Sequence, residues 1–158
     1  RPRFDKPTAL ASARFEASAL VAERPRAVVF VHPGLKLTGV AKLAGTETDV
    51  TVMMEPWGTL TGRVVDADGK PVADVTIGLT VQRASMDSGY AAASRSAPPA
   101  KTDAEGRFRA DVRLPGKEFD VFLAYKGRRL GSGPIARGLS VASGETKAIE
   151  PWKVSIDE

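Results

Sequence analysis

Side chains able to do chemistry are scarce in this chain. It holds one histidine, His32, and no cysteine. Nucleophilic catalysis needs a base and a group that orients the base, and most structural and catalytic metal centres use several imidazoles or thiolates. His32 precedes Pro33 after the apolar run Val28 to Val31; with no partner implied by sequence, it reads as a structural or exposed histidine. No catalytic residue, cofactor-binding residue or metal ligand is assigned. The acidic turn with Asp66 and Asp68 has spacing compatible with calcium. An all-protein calcium site, however, wants about six to eight oxygens. Acids nearby are few, so a turn closed by carboxylate-to-backbone hydrogen bonds is the simpler expectation.

Arg107, Arg109 and Arg113 fall on one side of an alternating segment, with Arg128, Arg129 and Arg137 further along. Such a strip suits phosphate or sulfated sugar. Asp111 interrupts it, and Glu105 and Glu118 flank it; a solvated face with cross-strand ion pairs is therefore expected. Trp57 and Trp152 both follow Glu-Pro. An aromatic face suits the CH face of a pyranose, but their recurrence in the same context better fits a core lid at a module junction. The candidate ligand contacts are Tyr90, Trp152 and Arg109.

These residues must be positioned by a chain of 158 residues that is 42% hydrophobic, enough for one domain or two small modules with a modest core. Its 23 basic and 19 acidic residues give a net charge of +4 by mixture rather than by a basic block, so nucleic acid is not an expected partner. No apolar run approaches the ~18 residues of a membrane span, and none resembles a leader; the start at Arg1 suggests excision from something longer. Asn is absent and Gln82 is the single Gln. That removes N-glycosylation acceptors and Asn-Gly turns together.

Residues 75 to 81 are apolar at every odd position and small or polar at every even one, the period of a half-buried strand. The same alternation predicts strands over 107 to 112 and 119 to 125. Fifteen Gly and eleven Pro punctuate the chain, and the Ala-rich stretches lack a helical stripe. The chain reads as all-β. Asp66 to Pro71, Asp103 to Gly106 and Leu114-Pro115-Gly116 are expected to be tight turns, and the Ser-rich stretch 84 to 100 a long mobile loop. Inward strand phases predict a core of Leu60, Val64, Val75, Ile77, Leu79, Phe108, Val112, Phe119, Val121, Leu123, Ile149 and Val154.

An internal repeat organises the rest. Phe15, Val29-Phe30, Gly34, Leu37, Leu43 and Glu55-Pro56-Trp57 match Phe108, Val121-Phe122, Gly127, Leu130, Leu139 and Glu150-Pro151-Trp152. The unit is about 95 residues. Residues 58–158 form a complete module, and residues 1–57 match only its second half, lacking the first two strands. Gly58 follows Trp57 directly, which leaves almost no linker. An open sheet in 1–57 must borrow an edge: from upstream chain, from the complete module or from a second copy of this chain, with packing against the complete module expected and association as the fallback.

Gly62-Arg63-Val64-Val65-Asp66, Pro71-Val72-Ala73, Thr102 to Phe108, Leu114-Pro115-Gly116 and Phe119-Asp120-Val121 resemble the carboxypeptidase regulatory-like domain family. The resemblance implies an immunoglobulin-like or transthyretin-like β-sandwich, grouped with carbohydrate-binding-like folds and found beside other domains in secreted or envelope proteins. It departs at Asp74-Val75, where the family commonly has Gly-Ala, and in the long 84 to 100 loop. Hydrolases and intradiol dioxygenases of the wider group need more His and Tyr than this chain holds, and isopeptide bonds of the Lys-Asn kind need Asn. The implied function is a non-catalytic spacer, scaffold or protein-interaction module of an extracytoplasmic protein. Its partners would be other domains of the parent chain or another protein, with its oligomeric state left open. Carbohydrate binding is the alternative.

Overall fold

The computed structural model describes residues 9–82, 90, 93 and 98–156. Among these residues, twelve strands run in chain order as β1 Arg26–His32, β2 Leu37–Leu43, β3 Glu55–Pro56, β4 Gly58–Val65, β5 Thr76–Val81, β6 Ala100–Lys101, β7 Arg107–Val112, β8 Phe119–Tyr125, β9 Arg128–Leu130, β10 Ala136–Leu139, β11 Thr146–Ala148 and β12 Trp152–Lys153. The three strands expected from alternation lie at β5, β7 and β8. Most of the 84 to 100 stretch is outside the described residues; within it Tyr90 and Ala93 have helical backbone, and Ala93 is buried.

The fold is all-β and sandwich-like. One sheet has the order β10-β8-β5-β6, with β9 also on β8, and a second has β11-β4-β12 with β7 on the other edge of β4. Between them lies one apolar cluster that includes Leu60, Val64, Ile77, Phe108, Val121 and Leu123. Ten of the twelve expected core residues are buried; Leu79 and Ile149 pack against the cluster while partly exposed. Val72, Ala110 and Val141 join it without having been expected.

The turns follow their sequence chemistry. Asp66 Oδ1 accepts from the Asp68 and Lys70 amides, both at 2.9 Å, and Asp103 Oδ1 does the same for Glu105 and Arg107 at 3.0 and 2.8 Å. Asp66 is thus committed to its turn. Gly106 has a φ of +71°, and a Cβ there would run into the Val64 carbonyl. Asp74 takes a left-handed φ of 58°. Buried Thr102 braces that bend: its hydroxyl donates to the Val72 carbonyl at 2.7 Å and accepts from the Val75 amide at 2.9 Å.

Ahead of these sheets, β1, β2 and β3 make a three-stranded antiparallel sheet. Both β1–β2 and β8–β9 are antiparallel hairpins, but on the repeat's alignment their registers differ by one residue. Val31 pairs with Thr38, whereas Leu123 pairs with Leu130, the residue matched to Leu37. The Glu-Pro-Trp ends differ more. Glu55–Pro56 pairs antiparallel with β2, while Trp152–Lys153 runs parallel to β4. Among the described residues, no helix is long and apolar enough to cross a membrane.

Candidate functional site

The joint between the first sheet and the sandwich is built around Trp57. This residue sits between β3 and β4 and is 8% exposed. Its indole Nε1 donates to Thr38 Oγ1 at 2.7 Å, and the Arg113 guanidinium lies over its ring at 4.9 Å. The Trp57 amide donates to the Lys36 carbonyl at 2.9 Å, and its carbonyl accepts from the Gly144 amide at 3.2 Å. Ser143 Oγ donates to the Pro56 carbonyl at 2.8 Å. Burial pushes the Arg113 pKa down and nearby Asp111 pushes it back up; an arginine still keeps its charge at neutral pH.

Apolar packing continues the joint. Val29 and Val31 of β1 rest on Val81, Leu114 and Ala93, with Tyr90 at the margin. Lys36 reaches across to Asp111 at 3.3 Å. A Cβ on Gly58 would meet Val141 Cγ1 at 2.6 Å and the Ala142 carbonyl at 2.9 Å, so the first residue of β4 has no room for a side chain. The first segment packs against the sandwich through this joint, but among the described residues no strand of the sandwich pairs with β1, β2 or β3: the contact is by side chains and loop hydrogen bonds, not by the borrowed sheet edge that was expected.

The three candidate ligand contacts do not converge. Trp152 stacks on Phe108 with ring centroids 5.3 Å apart and planes at 14°, at the Arg107 end of β7. It caps the core, but at the far end from the Trp57 joint. Tyr90 lies beyond the opposite end of β7, with Lys117 Nζ 4.7 Å from its ring centre. There it lines a groove of about 400 Å³ with Thr38, Val40, Met53 and Leu114. Arg109 is exposed on the outer face of β7, opposite Thr61. A second cleft, about 230 Å³, opens between β5 and the end of β7 and is lined by Leu79, Val81, Val112 and Leu114.

Among the described residues, no ion pair engages Arg107 or Arg109 on β7, where cross-strand pairs were expected. Arg107 faces another cation, Arg63, and Arg109 faces Thr61; the observed β4–β7 register places the like charges opposite each other. Asp111 pairs instead with Lys36 of the first segment. Arg63 escaped the sequence reading; its outward phase between Leu60 and Val64 on β4 was the available signal. On the other sheet Arg129 stacks on Phe122 at 3.8 Å, and Asp120 accepts from Gln82 Nε2 and the Gly138 amide, both at 3.0 Å. The Gln82 hydrogen bond chiefly, then the Gly138 amide and Arg137, hold the Asp120 carboxyl below its ordinary range, against partial desolvation. His32 is exposed, and its Nδ1 accepts from the Leu35 amide at 3.1 Å, capping the β1–β2 turn.

No protein-family model and no curated protein matches the chain. Among solved structures it is similar to catechol 1,2-dioxygenase from Pseudomonas arvilla C-1, with a TM-score of 0.38 and 16% identity over 72% of this chain and 55% of that one. It is similar also to 3-chlorocatechol 1,2-dioxygenase from Rhodococcus opacus 1CP, at 0.36 and 15% over 84% of this chain and 73% of that one. The Bacillus anthracis TIE protein follows at 0.35 and 12%, covering 75% of this chain and 23% of that one. The chain thus spans about half the length of the first of these structures.

Proposed function

We propose that the chain is a non-catalytic β-sandwich unit acting as a rigid spacer, scaffold or protein-interaction module of a larger extracytoplasmic protein. In this reading, residues 58–158 are a complete carboxypeptidase regulatory-like module of immunoglobulin-like or transthyretin-like form, and residues 1–57 are a partial repeat of it. The supporting observation is the joint. Trp57 is buried, bonded to Thr38 and covered by Arg113, and β4 begins at the next residue. Interdomain motion needs a linker with few contacts across it; here the connection itself is packed. A unit held this way transmits position, as a spacer must.

Calorimetry tests the reading: the full chain unfolds in one transition with equal calorimetric and van't Hoff enthalpies. Two resolved transitions would mean independently moving parts and would overturn it. A second reading, carbohydrate binding, draws support from the groove beside Tyr90, where Val40 and Met53 are 41% and 78% exposed. Neutral glycans bound on an array, and lost in Tyr90→Ala, would favour it.

A further inference from the structure

The outer face of the sheet containing β7, β4 and β12 carries a group of cations that, among the described residues, no carboxylate engages. Paired residues in a sheet project to the same side. Arg63 lies opposite Arg107, Arg109 lies two residues further along β7, and Lys153 pairs with Val65, two residues beyond Arg63. All four share one face. The opposite phase holds buried Leu60, Val64, Phe108 and Ala110, so Arg107, Arg109 and Lys153 are exposed and Arg63 is half-buried.

Like charges directly opposite each other destabilise a strand pair, and the fold does little to offset this pair. Arg63 Nε donates to the Glu105 carbonyl at 2.8 Å, which orients the guanidinium. Among the described residues, no ion pair engages Arg63, Arg107, Arg109 or Lys153. Asp111, the acid on the same face, is already held by Lys36. Glu105 and Glu150 border the strip, in the turn before β7 and between β11 and β12.

We infer that this face binds an acidic polysaccharide, with Arg63, Arg107 and Arg109 engaging its sulfate or carboxylate oxygens. Guanidinium forks bind such oxyanions with two parallel hydrogen bonds. Arg63 and Arg107 are about 5 Å apart across the pair, and Arg107 and Arg109 about 6.7 Å apart along the strand. A flat row of forks suits an extended polymer bearing repeated oxyanions, and the hydroxyl of Thr59 stands on the same face to meet a sugar hydroxyl, while that of Thr61 donates to the Lys147 carbonyl at 3.5 Å. Nucleic acid fits less well. Bases want an aromatic platform, and the nearby rings, Phe108 and Trp152, are stacked on each other. The inference does not rest on the spacer reading.

The test uses the full chain with dextran sulfate, alginate and oligothymidylate as probes, measured by calorimetric titration over a series of salt concentrations. The face variant is Arg63→Gln/Arg107→Gln/Arg109→Gln. A control with the same net charge is Arg128→Gln/Arg129→Gln/Arg137→Gln. The wild-type chain should bind dextran sulfate or alginate, a preference between them identifying sulfate or carboxylate as the recognised group. The face variant should lose at least about tenfold in affinity and flatten the salt slope by about two, while the control stays near wild type. Relief of the Arg63–Arg107 repulsion should leave the face variant melting no lower than wild type. If it melts lower, Arg109→Gln alone, which leaves the Arg63–Glu105 bond in place, should still cost about threefold. Equal losses in both triple variants would reduce the binding to net charge and overturn the inference. So would failure to bind either polysaccharide, or tighter binding of oligothymidylate through the same arginines.

Discussion

Removing the indole N–H of Trp57 and the hydroxyl of Thr38, singly and together, probes the joint atom by atom. Their hydrogen bond is 2.7 Å long and buried. Trp57→Phe keeps a ring beneath Arg113 but loses the donor and part of the volume. With about 1 kcal/mol for the bond and a similar amount for the smaller ring, it should cost about 2 kcal/mol. Thr38→Val keeps the shape but leaves the buried indole N–H without its acceptor, at about 1–3 kcal/mol. In the double variant neither group is orphaned, so its cost should fall short of the sum by about 1 kcal/mol. Urea unfolding followed by circular dichroism reads all four proteins, since fluorescence changes when a tryptophan is removed. Costs that simply add, within about 0.3 kcal/mol, would show that the bond does not hold the joint and refute the reasoning.

Phe108→Ala should cost about 3–5 kcal/mol, because Phe108 is 5% exposed and supports Trp152; an unchanged melting temperature would remove it from the core. Asp74→Gly should raise the melting temperature by relieving the left-handed φ of 58°, worth up to about 1 kcal/mol, and a fall would show that the Asp side chain supports the bend. The Asp120 carboxyl, held low chiefly by Gln82, contributes stability that is present above its unfolded pKa near about 4 and lost as pH falls through the lower folded value. Asp120→Asn should therefore lower the melting temperature at pH 7 and close the gap to wild type on acidification; a gap constant down to pH 2 would contradict this.

How far the sequence discloses the fold depends on element length. Strands β5, β7 and β8 have six or seven residues, long enough for a period of two to be read and for Ile77, Phe108 and Val121 to be placed inward. Strands β11 and β12 have three and two, too few for any period, and their parallel pairing with β4 arises from tertiary contact. The repeat aligned β1 with β8 but left pairing unassigned, and the one-residue register difference follows the one-residue gap between Phe30–Gly34 and Phe122–Gly127. The juxtaposition of Arg63 and Arg107 was hidden for the same reason: alternation assigns a face, while register assigns the neighbour. Trp57 was legible as a junction lid through Glu-Pro-Trp. Its partners Thr38 and Arg113 were not, because they come from strands 19 residues before it and beyond the end of β7.

A distance across the joint decides whether the two parts form one rigid body. The chain has no cysteine, so Lys42→Cys on β2 and Lys101→Cys on β6, both exposed, accept spin labels without competition. Pulsed dipolar spectroscopy should give one narrow distance distribution, and Trp57→Ala should broaden it. A wild-type distribution that is broad or has two maxima would show a hinge at Trp57–Gly58 and contradict the spacer reading.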